Sequence, residues 1–311
     1  MVNMKNLKLL LYIMFLLIAV ALYLNLTNHI DPKPLKEIVE GFAGKALSEY
    51  REDESKLKVY PDHNDNIYAR LFELVTNEPA LYRHDIIKIK DRADVNDKSR
   101  ILDAGCGLGR HMEILRELFP TIILEGIDKS KSMINRSMLR NPGAELLCTS
   151  LTIPEIYKSE TLTHVLCLYE TLNHNTPKEI SIILNNFNKW LVPGGYLIVH
   201  ILDPKKLDPG PRAFSQYFKD KDDTRHALTY FESFTHEAWW EKEENKQYWY
   251  RYCEKYIFPK KRLKIHTTPL WLPPVNKMIT YITRHNFKLK EVIELNDIDV
   301  TDFSIYIFTK K

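Results

Sequence analysis

The chain has 311 residues, 44% of them hydrophobic, and a formal net charge of +3. That is enough for one large domain with its own core plus an appendage, and the charge is too small to signal a nucleic-acid groove. Its four cysteines form no C-x-x-C pair and stand at no zinc-like distance from the histidines, so they read as buried reduced thiols rather than a metal site or disulfide framework.

From Leu9 to Leu24 the sequence is unbroken in apolar character, with Lys5 and Lys8 before it. With Asn25 and Leu26 this stretch would span roughly 27 Å as a helix, just sufficient for a thin bilayer. Residues 1–26 are therefore expected to form an N-terminal transmembrane helix, with the lipid bilayer as partner through residues 9–26. A cleaved signal peptide is the alternative, since Ala19-Val20-Ala21 offers a small-residue site, but the run stays apolar beyond it. Residues 27–63, with Pro32, Pro34, a short helical pattern over 35–50 and a charged stretch from Arg51 to Lys58, read as a stalk or linker. The remainder, 64–311, reads as one domain, beginning with helices over 68–75 and 82–95.

The most informative segment is Ile101-Leu102-Asp103-Ala104-Gly105-Cys106-Gly107-Leu108-Gly109-Arg110-His111, a buried strand, a glycine-rich turn and a helix start. A dinucleotide fingerprint requires its third glycine three residues after the second, where this chain has Arg110. Asp103 before the first glycine would repel a pyrophosphate and suits an amine-bearing ligand. A helix follows over 110–119 and is closed by Pro120. A second buried strand, 121–128, ends in Asp128, 19 residues after Gly109, where a carboxylate is well placed for the two hydroxyls of a ribose. Ser130 to Met133 begins another helix. Short strands follow at Leu146-Leu147-Cys148 and over 164–169, and Trp190 to Val199 gives a helix end, a Pro-Gly-Gly turn and a further strand.

This succession resembles the class I S-adenosylmethionine (SAM)-dependent methyltransferases, with specific motifs between Arg100 and Asp203 and an outline match over 64–311. The resemblance implies an α/β fold: a seven-stranded, mostly parallel, doubly wound sheet, completed by a C-terminal antiparallel hairpin from Phe287–Glu294 and Ser304–Phe308. It implies SAM as cofactor, with Asp103 toward the methionyl amino group and Gly105, Cys106, Gly107 and Gly109 giving close backbone approach. Asp128 and Lys129 would lie by the ribose, and Met133, Thr149 and Ser150 by the adenine. Two positions depart from the family. Cys148-Thr149-Ser150 stands where many relatives place an acid for the adenine amino group, and Thr163-His164 opens the fourth strand where Asp is frequent.

Tyr169, Glu170 and His174 follow the fourth strand, at the carboxyl end of the sheet where ligands of open α/β folds bind. They are the candidate catalytic residues. His174 either serves as a general base or caps the next helix, and Glu170 either binds an amine or pairs with a lysine. No N-P-P-Y tetrapeptide is present, so the signature of enzymes that methylate amino groups of nucleic-acid bases or glutamine is missing. Residues 203–274 form an aromatic-rich insertion whose alternation over 247–252 suggests an antiparallel lid. Its aromatics either cage the acceptor or build the lid's own core.

The expected function is membrane-anchored methyl transfer from SAM to a small-molecule or membrane-proximal acceptor, with no nucleic acid indicated. A catalytically silent methyltransferase fold acting as a membrane scaffold is the alternative, and a nicotinamide-dependent oxidoreductase is disfavoured by the glycine spacing. Flanking charge does not decide orientation, because Lys33, Lys36 and Lys45 balance Lys5 and Lys8. A cytosolic cofactor and reduced thiols put the catalytic domain of this single-pass protein on the cytosolic face.

Overall fold

The computed structural model describes residues 66–311 apart from 77–78, 210–214, 220–224, 260–261 and 299. All of them fall within one unit, Lys58–Lys311. The apolar run 9–26 and the stalk 27–63 lie outside the described residues. Among those described, no helix is long and apolar enough to cross a membrane.

Two helices come first, α1 (Asn66–Val75) and α2 (Pro79–Lys90). The second ends earlier than its apolar pattern suggests, because the chain turns through residues 91–97 with Asp94 at φ 54°. Strands and helices then alternate: β1 (Arg100–Ala104), α3 (Arg110–Leu118), β2 (Ile123–Asp128), α4 (Lys131–Arg140), β3 (Glu145–Cys148), β4 (Leu162–Cys167), α5 (Pro177–Trp190) and β5 (Leu191–Leu202). The Pro193-Gly194-Gly195 turn is absorbed into β5 as an irregularity in its pairing with β4. The insertion supplies β6 (Ser215–Lys219), β7 (Arg225–Tyr230), β8 (Thr235–Lys242), β9 (Trp249–Phe258) and β10 (Arg262–Trp271). The chain closes with α6 (Val275–Thr283), β11 (Phe287–Leu295) and β12 (Val300–Lys310).

The main sheet has the order β11-β12-β5-β4-β1-β2-β3. β1 to β5 pair in parallel, whereas β12 runs antiparallel to both β5 and β11, as the expected terminal hairpin requires. Alternate residues of each strand feed opposite faces, so the sheet is buried on both sides. Ile101, Ile198, Ile305 and Ile307 pack with Ile86 and Ile89 of α2 and Met112 and Leu115 of α3. Leu102, Leu197, Val199 and Phe308 pack with Ile183, Phe187 and Trp190 of α5 and Ile282 of α6. The strand order reverses between β1 and β4, which opens a crevice at their carboxyl ends.

The insertion forms an antiparallel five-stranded sheet, termed the lid below, in the order β10-β9-β8-β7-β6. Its aromatics divide between the two roles that the sequence left open. Phe234 and Tyr256, with Phe231 and Phe258, form the lid's own core against Leu71 and Val75 of α1. Trp240 and Tyr252 face the crevice, held by hydrogen bonds from the Trp240 Nε1–H to the Asp208 carbonyl (3.2 Å) and from the Tyr252 hydroxyl to the Pro209 carbonyl (2.7 Å).

Candidate active site

A cavity of about 880 Å³ fills the space between the crevice, α1 and the lid. This is near the upper end of the roughly 300–1,000 Å³ typical of small-molecule sites. Of the thirteen residues singled out from the sequence, twelve line it: Asp103, Gly105, Cys106, Gly107, Asp128, Lys129, Met133, Thr149, Ser150, Tyr169, Glu170 and His174.

Gly109 is the exception, and its role differs from the one expected. A Cβ there would lie 2.3 Å from both Ser137 Oγ and Asn141 Nδ2 of the α4 region, and the Asn141 amide donates to the Gly109 carbonyl (2.9 Å). Gly109 lets the turn pack on α4 rather than approach a ligand. Gly105 is needed for a similar reason, since a Cβ would meet the Thr171 side chain at 2.3 Å. Of the three glycines in the turn, Gly107 is the one that opens on empty space, with φ +49° and no atom within 4 Å of a Cβ position. It is the point of bare backbone that a ligand can approach.

Backbone hydrogen bonds fix the turn. The Gly105 and Cys106 amides donate to the Ile127 carbonyl (2.7 and 2.9 Å). One Asp128 carboxylate oxygen accepts from the Gly107 amide (3.0 Å), and the other from the Ser130 amide (2.8 Å). Asp128 thereby links the turn to the start of α4, which Ser130 caps. Burial pushes its carboxyl up from the ordinary value, against the pull of those amides.

Asp103 is only 3% exposed, and its Oδ2 has no hydrogen-bond partner among the described residues. Burial pushes its pKa up to about 6, with His111 opposing and Asp128 reinforcing the shift. A buried carboxylate oxygen without a donor is costly, and a cationic N–H donor placed there would relieve it. SAM's α-amino group is such a donor, and Asp128 retains lone pairs for ribose hydroxyls, so the residues fit this cofactor.

On the other side of the crevice, Tyr169 and Glu170 take left-handed backbone conformations (φ 45° and 57°), strain of the kind that collects at functional sites. The Tyr169 hydroxyl donates to Asp85 Oδ2 (2.8 Å), and its amide donates to His200 Nδ1 (3.2 Å). The Tyr169 phenol is thus tied to Asp85, and burial pushes it well up from its ordinary value. His174 does not cap the next helix. Thr176 does, through a reciprocal capping box with Glu179, which leaves His174 as part of the cavity wall.

The departures at the fourth strand also have structural reasons. Thr163 accepts from the Arg100 amide (2.9 Å) and donates to its carbonyl (3.0 Å). His164 contacts the Ala93 carbonyl (2.6 Å) and stacks on Tyr196, away from the cavity. Sequence reasoning missed Asp85, His111, His200 and Glu254. The available signal was a polar residue inside an apolar stretch, as in Ile198-Val199-His200-Ile201-Leu202.

A parallel sheet with an antiparallel terminal hairpin, a glycine turn under an orphaned acid, and a carboxylate ending the second strand define the class I SAM-dependent methyltransferase type. The comparisons agree: residues 101–195 match the family model described as a methyltransferase domain. The fold is also that of the SAM-bound amino pentose methyltransferase of calicheamicin biosynthesis from Micromonospora echinaspora. That likeness has a TM-score of 0.60 at 18% identity, over 79% of this chain and 97% of the other. Among curated proteins, the chain is 29% identical to phosphoethanolamine N-methyltransferase 1 of Triticum aestivum, over 35% of this chain and 22% of the relative. It is 34% identical to trans-aconitate 2-methyltransferase of Paracidovorax citrulli, over 28% of this chain and 30% of the relative. The matched stretches therefore span less than a third of either curated relative.

Proposed function

We propose that this protein transfers a methyl group from SAM to an amine-bearing small molecule enclosed by the lid. The observation that carries the cofactor half is the partnerless Asp103 oxygen at the glycine turn. When bound, SAM supplies an electrophilic methyl group on its sulfonium. Asp103 would hold the amino group, the backbone of Gly105, Cys106 and Gly107 would lie along the methionine, and Asp128 would take the ribose. Lys129, Met133, Thr149 and Ser150 would surround the ribose and adenine, with Tyr169, Glu170 and His174 toward the acceptor.

Support for an amine comes from the charge of the walls. Six carboxylates line the cavity (Asp103, Asp128, Glu170, Asp208, Glu254 and Asp302), whereas the only lysine or arginine among the described lining residues are Lys129 and Arg110. Arg110 faces Glu73 of α1 at 3.9 Å. Glu254 is buried in the lid, and although burial pushes its carboxyl up, contacts with His236, His266 and Tyr256 hold it below the ordinary value. Trp240, Tyr252 and Phe303 add aromatic faces suited to a cation. Such walls disfavour a phosphate or carboxylate on the acceptor.

Three probes with one aromatic body test this: tyramine, tyrosol and 4-hydroxyphenylacetate, titrated calorimetrically into the full chain loaded with S-adenosylhomocysteine. Tyramine should bind about tenfold or more tighter than tyrosol, and the carboxylate should not bind. Equal affinities, no binding by any probe, or a preference for the carboxylate, would overturn the amine assignment.

The apolar run 9–26 is proposed as a bilayer anchor with the catalytic domain on the cytosolic face, on sequence grounds alone. The expectation is that the full chain stays with membranes through alkaline carbonate extraction and that a chain lacking residues 1–26 does not. Release of the full chain would remove the anchor from the proposal.

A further inference from the structure

Behind the reactive end of the cavity lies a buried group of titratable side chains drawn from four parts of the chain. Asp85 of α2 is fully buried, and its Oδ2 accepts from the Tyr169 hydroxyl at 2.8 Å. The same oxygen faces His111 Nε2 at 3.4 Å and His200 Nε2 at 3.9 Å. His111 opens α3 beside the glycine turn and lines the cavity. Its ring is clamped between Tyr169 (centroids 5.4 Å apart, stacked) and the edge of Tyr82 (5.2 Å).

We propose that His111 is the catalytic residue that takes the acceptor's proton, that Asp85 is a positioning residue that stabilises its charged form, and that the stacked Tyr169 ring holds the imidazole in place. The inference rests on the amine reading above. With Nε2–H turned to the Asp85 carboxylate, Nδ1 is the proton-accepting nitrogen. An ammonium becomes a nucleophile when one N–H bond breaks and its electron pair stays on nitrogen. The proton passes to Nδ1, leaving an imidazolium beside a carboxylate, the arrangement that lets an acid–histidine pair act as a base. Asp85 is suited to this, since despite burial the charges of His200 and His111 and the Tyr169 hydrogen bond hold its carboxyl below the ordinary value. The other groups facing His111 are Asp103 of β1, which senses its charge, and the Tyr82 phenol. Arg110, adjacent in sequence, is turned toward Glu73.

The test is a spectrum rather than turnover. The full chain, labelled with 13C,15N-histidine and loaded with S-adenosylhomocysteine, is observed by NMR at pH 8 with tyramine or tyrosol. Tyramine should convert the His111 ring signals to those of an imidazolium, and tyrosol should not. Asp85→Asn should reduce the imidazolium population about tenfold. Tyr169→Phe, which removes one competing donor from Asp85 and keeps its charge, should retain that population, and this milder variant guards against misfolding in the first. A His111 that stays neutral with tyramine bound, or an imidazolium that survives Asp85→Asn, overturns the proposal. Failure of tyramine to bind is read separately by the calorimetry above and overturns the amine reading, with this inference falling alongside it.

Discussion

Asp128→Ala is expected to weaken SAM binding by at least about a hundredfold, because two hydrogen bonds from ribose hydroxyls to a charged acceptor are worth roughly 1.5–3 kcal/mol each. Part of the loss comes from the protein itself, since the Gly107 and Ser130 amides lose the oxygens that fix the turn. Asp128→Asn keeps one acceptor oxygen and should lose about tenfold. Calorimetric titration of the full chain measures both, with circular dichroism confirming that each variant is folded. NADH, whose pyrophosphate would face Asp103, should not bind. An alanine variant that binds SAM like the parent would sink the assignment of Asp128.

The same titration has a defined pH dependence. Asp103, with a pKa raised to about 6, is carboxylate above that pH and carboxylic acid below it. A cationic amino group needs the carboxylate, so SAM affinity should hold above pH 7 and fall as pH drops through 6. At pH 5 it should be roughly tenfold weaker. Affinity that is flat from pH 5 to 8 would detach Asp103 from the amino group.

The second large effect separates two glycines that look alike in the sequence. Gly107→Val projects a branched side chain into open cavity and should abolish SAM binding. Its thermal cost should be small, about 1–2 kcal/mol for a left-handed backbone carrying a Cβ, or a few degrees in Tm for a domain of this size. Gly109→Val drives its side chain into Ser137 and Asn141 and forces apart the turn and α4. Overpacking of that kind costs about 3 kcal/mol or more with backbone strain added, and should lower Tm by about 10 °C. Thermal melts and SAM titrations of the two variants should give opposite rankings. If Gly107→Val were the less stable protein and still bound SAM, the roles assigned to the two glycines would be reversed.

Most of the site was visible in local sequence because a strand, a turn and a helix start must be contiguous. Ile101 to His111 contains the whole phosphate-averse glycine turn, and Asp128 lies at a distance fixed by one intervening helix and strand. The terminal hairpin was equally legible, since Phe287–Glu294 and the apolar run Ser304–Phe308 read as two strands joined by a short link. Strand ends were less so: β12 extends from Val300 to Lys310, because its pairing with β11 runs from Leu295 opposite Val300 to Phe287 opposite Lys310. The aromatic insertion could be read as antiparallel strands, but not divided into core and cavity wall.

By itself the sequence determined the class of fold, the succession of strands and helices along the chain and the carboxylates proposed to meet the cofactor, all of them consequences of short-range pattern and backbone sterics. Tertiary structure alone decided which way each glycine faces, that Tyr169 is bound to Asp85, and that His111 stands at the cavity with a buried acid behind it. Those contacts join α2, α3, the turn after β4 and β5. Their geometry depends on how the layers pack, a property that no single stretch of the chain encodes.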